Sequence, residues 1–310
     1  MSTPVTVPDA PASAAPSSRR SVASASESPR TPIPARRRKR PAAVAGAAAR
    51  VFGIVVVVLS FLVPLIWMFL ASLKRNLDVV DPAKTLVFEP TLGNYDTVFG
   101  AQNFLPIIGN SMFVGLGATL LALAIGVPAA YGIARYKVRS TTAFLLMARV
   151  IPGVSLLIPW YFLFSQVQLV GTYTVLILTH LFVTMPLVVA IMSSFFDGIP
   201  MELEEAAQID GTSRIGAFVR VVLPLSVPGI ATAAILSFIF SWNNFLFALV
   251  LSSQSTRTLP VAIVNFTSYA AVDWGGLMAA AVTITVPVMI VALIAQKYVV
   301  SGLTAGATKG

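Results

Sequence analysis

The chain has no cysteine, and its absence excludes disulfide bonds and thiolate metal sites. Charged residues are also scarce: they make up 11% of the 310 residues, whereas a soluble domain carries about 25%. The single histidine, His180, has no potential metal ligands near it in the sequence, so we interpret it as a neutral, hydrogen-bonded side chain. With 56% hydrophobic residues and a mean hydropathy of +0.85, the composition predicts an integral membrane protein.

Two further absences exclude classes of function. No aspartate or glutamate lies inside the long apolar runs, whereas ion-driven carriers usually keep a carboxylate at membrane depth. The phosphate-binding pattern G-x4-G-K-[ST] is missing as well, and so is any paired catalytic or metal-binding constellation. The sequence therefore predicts neither a secondary transporter nor an enzyme. If ATP powers transport, a separate subunit would have to hydrolyse it.

Six apolar runs approach or exceed the 20 or so residues that a transmembrane helix needs. They predict an all-α membrane protein with six transmembrane helices, at 51–72, within 104–134, and at 142–164, 174–196, 227–251 and 275–295. We divide the chain into a disordered basic cytoplasmic tail, the first transmembrane helix with an extracytoplasmic loop, a main transmembrane domain and a cytoplasmic C-terminal tail. Their respective boundaries are 1–50, 51–103, 104–296 and 297–310.

The distribution of lysines and arginines predicts how the chain is oriented in the membrane. Sixteen lysines and arginines flank one side of the predicted spans and four flank the other, which places both termini in the cytoplasm. Nine of them lie in residues 1–50, next to a span, so the net charge of +9 does not indicate nucleic-acid binding. The basic run 36–40 either binds anionic lipid headgroups or only sets the orientation, and we favour the second interpretation. Arg149, within a span, is expected to pack against its neighbours.

A polar segment, residues 200–224, separates the fourth and fifth predicted spans. It contains or adjoins five of the chain's twelve acidic residues, and its pattern predicts two short helices. Gly211 is placed where a glycine commonly ends a helix, and Thr212 or Ser213 can cap a second helix that Pro224 ends. The helical periodicity of its apolar residues leaves open whether this segment lies on the membrane surface or binds a partner.

The polar segment also contains a motif with fixed spacing, E-A-A-x3-G-x9-V-x-L-P. Its members are Glu205, Ala206, Ala207, Gly211, Val221, Leu223 and Pro224. The motif resembles the EAA loop of ABC importer permeases, in which an isoleucine stands at the position of Val221. Further stretches at 90–99, 110–119, 129–137 and 301–310 look like the sugar branch of that family. The resemblance covers 51–310 and is strongest to the smaller permease of maltose-like systems.

The resemblance implies a type I ABC importer permease fold in the cytoplasmic membrane, with 104–296 as its permease domain. It also implies three kinds of partner: an extracytoplasmic solute-binding protein, a second permease and a pair of ATPase subunits that use the ATP. No cofactor is implied in this chain, which would contact membrane lipids and no nucleic acid. By the same resemblance Glu205, Ala206, Ala207 and Gly211 form a coupling helix with its turn, inserted into a cleft of the ATPase.

Polar and aromatic residues within the predicted spans are candidates for the substrate path. They are Asn110, Ser155, Tyr161, Trp242, Asn243 and Asn244. Amides, hydroxyls and aromatic faces suit an uncharged polyhydroxylated solute, but they also form hydrogen bonds between membrane helices. The predicted function is import of a sugar, a di- or oligosaccharide. Import of another solute (polyamine, phosphate or osmoprotectant) and a membrane scaffold or sensor remain as alternatives.

Overall fold

A computed structural model describes residues 41–267 and 272–307. The basic run 36–40 and the rest of the N-terminal tail up to residue 40 lie outside the described residues. The chain divides into two units, residues 1–57 and 58–310. The described part of the first unit is helical, and the second unit contains the helices and loops that follow.

The described residues are predominantly α-helical. In chain order the α-helices are α1 (Pro41–Ser72), α2 (Asn76–Val80), α3 (Gly93–Asp96), α4 (Phe104–Arg135), α5 (Arg139–Ala148), α6 (Gly153–Gln166), α7 (Tyr173–Asp197), α8 (Glu202–Ile209), α9 (Arg214–Ala217), α10 (Leu223–Leu225), α11 (Val227–Trp242), α12 (Leu246–Leu251), α13 (Leu259–Ala262) and α14 (Trp274–Ala307). Two 3-10 turns (Pro82–Lys84 and Ile263–Phe266) and two π-helical turns (Thr97–Ala101 and Phe218–Val222) complete them.

Four helices, α1, α4, α7 and α14, contain apolar stretches long enough to cross a membrane. Two bent pairs can be added: α5 with α6, bent by 83°, and the segment from Arg214 to Leu225 with α11, bent by 74°. The described part of the chain therefore provides four membrane-crossing helices, or six if each bent pair is one span.

Both ends of the described chain are more helical than we expected. Residues 41–50, assigned to the disordered tail, form the first turns of α1, because the segment is rich in alanine, the strongest helix former. Residues 297–307, assigned to a tail, continue α14. This extension contains no proline, so no residue in it blocks helix propagation.

Two spans predicted as continuous helices are broken. Residues 142–164 contain the bend between α5 and α6, where Pro152 disfavours a helical conformation of the residue before it. Residues 227–251 are interrupted after Trp242. There Asn244 accepts a hydrogen bond from the Phe247 amide through its Oδ1 atom (3.3 Å), a local bond that competes with helix continuation.

The centre of the second unit is the packing of α4 against α7. The buried face of α4 includes a row of small side chains spaced four residues apart: Ala118, Ala122, Gly126, Ala130 and Ala134. A Cβ atom at Gly126 would lie 2.8 Å from Val188 Cγ1 on α7. Close approach of backbones through small residues is the usual way in which membrane helices pack. A further helix, α11, packs on both α4 and α7 and also contacts α14.

The segment between α1 and α4 is fixed by two side chains. Lys74 is fully buried, and its Nζ atom donates hydrogen bonds to the carbonyls of Lys84 and Thr85, both at 2.8 Å. Asn94 donates from Nδ2 to the carbonyls of Ser72 (2.7 Å) and Lys74 (2.8 Å), which satisfies backbone groups at the C-terminal end of α1. The loop is therefore folded against the C-terminal end of α1.

Candidate functional site

The polar segment forms the helix α8 and the helical stretch after it, at the end of α7. Three glutamates occupy the first turn of α8, where the helix dipole favours negative charge. Glu205 and Ala206 are exposed, and Ala207 is half-buried. Ile209, in the last turn, is 86% exposed although it is a large apolar side chain. Leu203, on the same helix, is exposed as well. The exposed part of α8 thus combines small and large apolar side chains.

Gly211 ends α8 as predicted. Its φ is +89°, a conformation that residues with a side chain rarely adopt. The Gly211 amide donates to the Gln208 carbonyl (3.0 Å), and the Thr212 amide donates to the Ala207 carbonyl (3.0 Å). This pair of bonds is the Schellman arrangement, which satisfies carbonyls left unpaired at a helix end. The spacing between the alanines and the glycine in the motif thus has a local structural cause.

The second helix is capped by Ser213, one of the two residues predicted for that role. Its Oγ atom accepts a hydrogen bond from the Gly216 amide (3.1 Å). The prediction that Pro224 ends the helix is wrong, because helical structure continues through Leu225 before the 74° bend. Pro224 lies just after the π-helical turn Phe218–Val222, so its missing N–H lies where the hydrogen-bond register of the helix changes. Leu223 is half-buried and Pro224 is exposed.

A buried ion pair, which we had not predicted, connects α8 to α4. The carboxylate of Glu204 pairs with the guanidinium of Arg135, and their side chains are 4% and 12% exposed. The Tyr131 hydroxyl donates to Glu204 Oε2 (2.6 Å). Arg135 also donates from Nη1 to the carbonyls of Phe196 (3.1 Å) and Ile199 (3.4 Å), at the end of α7. We call Tyr131, Arg135 and Glu204 the buried triad.

Aromatic rings pack around the buried triad. The Tyr131 ring lies 5.8 Å from the Phe196 ring, in an edge-to-face arrangement, and 4.4 Å from the Phe218 ring. Tyr131 and Arg135 are four residues apart and therefore share one face of α4, which was visible in the sequence. Their partner was not, because Glu204 is one of several acidic residues in the polar segment and lies 69 positions beyond Arg135.

Two of the six substrate-path candidates are held by hydrogen bonds within the protein. Asn110 is buried and donates from Nδ2 to the carbonyls of Ser255 (2.8 Å) and Arg257 (2.9 Å), and its Oδ1 atom accepts from the Tyr173 hydroxyl (2.7 Å). Trp242 is 2% exposed, and its Nε1 atom donates to a carbonyl of α14 (3.2 Å). These bonds use both amide hydrogens of Asn110 and the single N–H of the Trp242 indole.

The other four candidates are more accessible. Ser155 and Tyr161 are exposed on α6, and the Tyr161 side chain is 48% exposed. Asn243 is exposed and donates to the Ile239 carbonyl of its own helix (2.9 Å). Asn244 is half-buried, and its Oδ1 atom accepts the hydrogen bond from the Phe247 amide near the start of α12.

The two ionisable residues within the spans have packing partners, as predicted. The guanidinium carbon of Arg149 lies 5.4 Å from the centre of the Phe240 ring. His180 is buried, and its Nδ1 atom lies 2.7 Å from Ser241 Oγ, within hydrogen-bond distance. In the described part of the chain, no cluster of three or more potential metal ligands is found.

Comparisons with known proteins agree with this architecture. Residues 122–305 match the family described as binding-protein-dependent transport system inner membrane component. The chain is 41% identical to the sulfoquinovosyl glycerol transport system permease protein SmoH of Agrobacterium fabrum, over 80% of this chain and 89% of that protein. It is 38% identical to the trehalose transport system permease protein SugB of Mycobacterium tuberculosis, over 80% of this chain and 91% of that protein.

A solved structure has a similar fold. It is a chain of a bacterial ABC transporter involved in the import of the acidic polysaccharide alginate, with a TM-score of 0.68. The match covers 86% of this chain and 99% of that chain at 21% identity, so it shows a shared fold and nothing more specific.

Proposed function

Because the chain belongs to the family of binding-protein-dependent transport system inner membrane components, we propose that it is the permease subunit of an ATP-driven importer for a sugar. Membership confirms the family predicted from the EAA-like motif, and it confirms a transport subunit rather than an enzyme. The chain is accordingly a multi-pass protein of the inner membrane. In our proposal both bent helix pairs cross the bilayer, which gives six spans with both termini in the cytoplasm.

The proposed substrate is a di- or oligosaccharide. Support comes from the names of the relatives, which specify trehalose, trehalose/maltose and sulfoquinovosyl glycerol transport. Within this chain, the accessible candidates for solute contact are Ser155, Tyr161, Asn243 and Asn244, whose hydroxyl, amide and aromatic groups suit sugar hydroxyls and ring faces. Asn110 and Trp242 would support that path by holding the surrounding helices in place.

The exposed motif face of α8 is the observation on which the proposed mechanism rests. We assign Glu205, Ala206 and Ala207 to the surface that contacts an ATPase subunit. Gly211, Leu223 and Pro224 shape the turn and the helix behind that surface. ATP binding would move the ATPase subunits, and α8 would pass this motion to the transmembrane helices. Such coupling requires an element whose position both sites can bias.

Three partners follow from this proposal: a pair of ATPase subunits, a second permease and an extracytoplasmic solute-binding protein. Affinity purification of the chain from its native membrane in mild detergent, followed by identification of the co-purifying proteins, tests it. We expect a phosphate-loop ATPase and a second permease. Recovery of the chain alone in several detergents, without ATPase activity, would favour a scaffold or sensor, and a binding protein specific for a polyamine, phosphate or an osmoprotectant would overturn the assignment to sugars.

A further inference from the structure

We propose that the buried triad is a positioning unit that makes α8 move together with α4, so that its integrity sets how much transport each ATP hydrolysis drives. This inference rests on the proposed role of α8 as the contact with the ATPase. It concerns residues outside the exposed motif face: Tyr131, Arg135 and Glu204 lie behind that face and act through it.

Arg135 joins three elements with one side chain. It is the last residue of α4, pairs with Glu204 of α8, and donates to the Phe196 and Ile199 carbonyls at the end of α7. Carbonyls at a helix C-terminus lack intrahelical partners and carry partial negative charge, so a guanidinium is well suited to them. The planar guanidinium fixes direction as well as distance, which a lysine ammonium would not do.

Glu204 differs from its acidic neighbours in direction. Glu202 and Glu205 are exposed, whereas Glu204 is 3% exposed and points toward α4. A buried carboxylate is stable only when it is paired, and here it has both a cation and the Tyr131 hydroxyl. Buried ion pairs often add little net stability compared with apolar packing, but removing one partner leaves an unpaired buried charge. The role that the buried triad fits best is therefore to hold α8 in one position against α4.

The same geometry explains how movement would be passed on. If α8 shifts while α4 stays in place, the carboxylate separates from both Arg135 and Tyr131, which exposes or orphans buried polar groups. Moving the two helices together keeps every bond of the buried triad. Beyond the triad, α4 contacts α7 through its row of small side chains, so a displacement at one end of α4 reaches the centre of the bundle.

Three variants distinguish a positioning role of the buried triad from a role in folding alone. Glu204→Gln keeps the size of the side chain but removes the charge, and Tyr131→Phe removes a single hydroxyl while keeping the ring that packs on Phe196. Glu202→Gln is the matched control, because it makes the same chemical change at an exposed position of α8 outside the motif residues 205–207. Each is assayed in the complete transporter, reconstituted in liposomes, as the ratio of solute imported to ATP hydrolysed.

We expect Glu204→Gln to lower this ratio about tenfold or more, since a hydrogen bond to a charged group is worth at least that factor. Tyr131→Phe should lower it by a smaller factor, and Glu202→Gln should leave it unchanged. In all three, the ATPase subunits should still co-purify. If Glu204→Gln fails to assemble, the result with Tyr131→Phe decides. A ratio equal to wild type in the variants that assemble overturns the proposal.

A second measurement reports position directly. Because the chain has no cysteine, Asp210→Cys, at the exposed end of α8, provides a single site for a spin label. In the full-length chain, combining this substitution with Glu204→Gln should give a more mobile spectrum, whereas combining it with Glu202→Gln should not. Equal mobility in both overturns the positioning role. Failure of the proposed function itself is distinguishable, because then wild type would neither co-purify with an ATPase nor import solute.

Discussion

Replacement of Gly211 by valine tests whether the conformation of the α8 turn matters for transport. A Cβ atom at this position would have no heavy atom within 4 Å, so the substitution creates no clash. Its effect comes from φ, which is +89° and unfavourable for any residue with a side chain. The left-handed conformation costs about 1–2 kcal/mol for an ordinary residue and more for a β-branched one. That cost corresponds to roughly a 5- to 30-fold fall in the equilibrium constant between the native turn and its alternatives.

Uptake of labelled sugar by cells that depend on this permease is the assay, with the amount of protein in the membrane measured in parallel. We expect Gly211→Val to reduce the uptake rate by at most that factor while membrane insertion stays normal, because no transmembrane contact is altered. Gly211→Asn is the control. Asparagine adopts positive φ more readily than other residues with a side chain, so it should retain most of the uptake. Normal uptake by Gly211→Val would refute the reasoning.

Three further perturbations test other parts of the structure. Gly126→Leu should destabilise the protein by about 1–3 kcal/mol through overpacking against α7, seen as a lower melting temperature in detergent, whereas Gly132→Leu, with open space around its Cβ position, should not. Glu205→Ala should abolish most uptake and leave insertion intact, and unimpaired uptake would remove this residue from the ATPase contact. Asn110→Ala should lower stability by about 2 kcal/mol because it removes three hydrogen bonds of a buried side chain, while Asn243→Ala should leave stability nearly unchanged; the opposite order of melting temperatures would contradict the packing role.

Helix ends marked by charge were predictable from the sequence. The second and fourth spans were predicted within 104–134 and at 174–196, and the structure has Phe104–Arg135 and Tyr173–Asp197. In both, a charged residue follows a long apolar run, so the end of the helix coincides with a change from apolar to charged residues in the sequence. The turn at Gly211 and the cap at Ser213 were predictable for a similar reason, because both depend on residues only a few positions away.

Two local breaks and one long-range contact were missed. The bend between α5 and α6, at Arg149–Pro152, and the break after Trp242 lie within apolar runs, and hydropathy does not show where the backbone changes direction. The ion pair between Arg135 and Glu204 joins helices separated by three other elements in the chain. Arg135 was counted for the orientation of the chain and Glu204 among the acidic residues of the polar segment, but only the packing of α4 against α7 brings the two together.

The measurement that tests the central claim most directly is ATP-dependent sugar import into liposomes that contain this chain, the second permease and the ATPase subunits, with the solute-binding protein supplied outside. We predict that sugar accumulates only when two conditions are met: ATP is present inside the liposomes, on the side that the ATPase subunits face, and the binding protein is present outside. Omission of this chain should abolish both import and the stimulation of ATP hydrolysis by the loaded binding protein. Import that proceeds without this chain, or without ATP, would contradict the account.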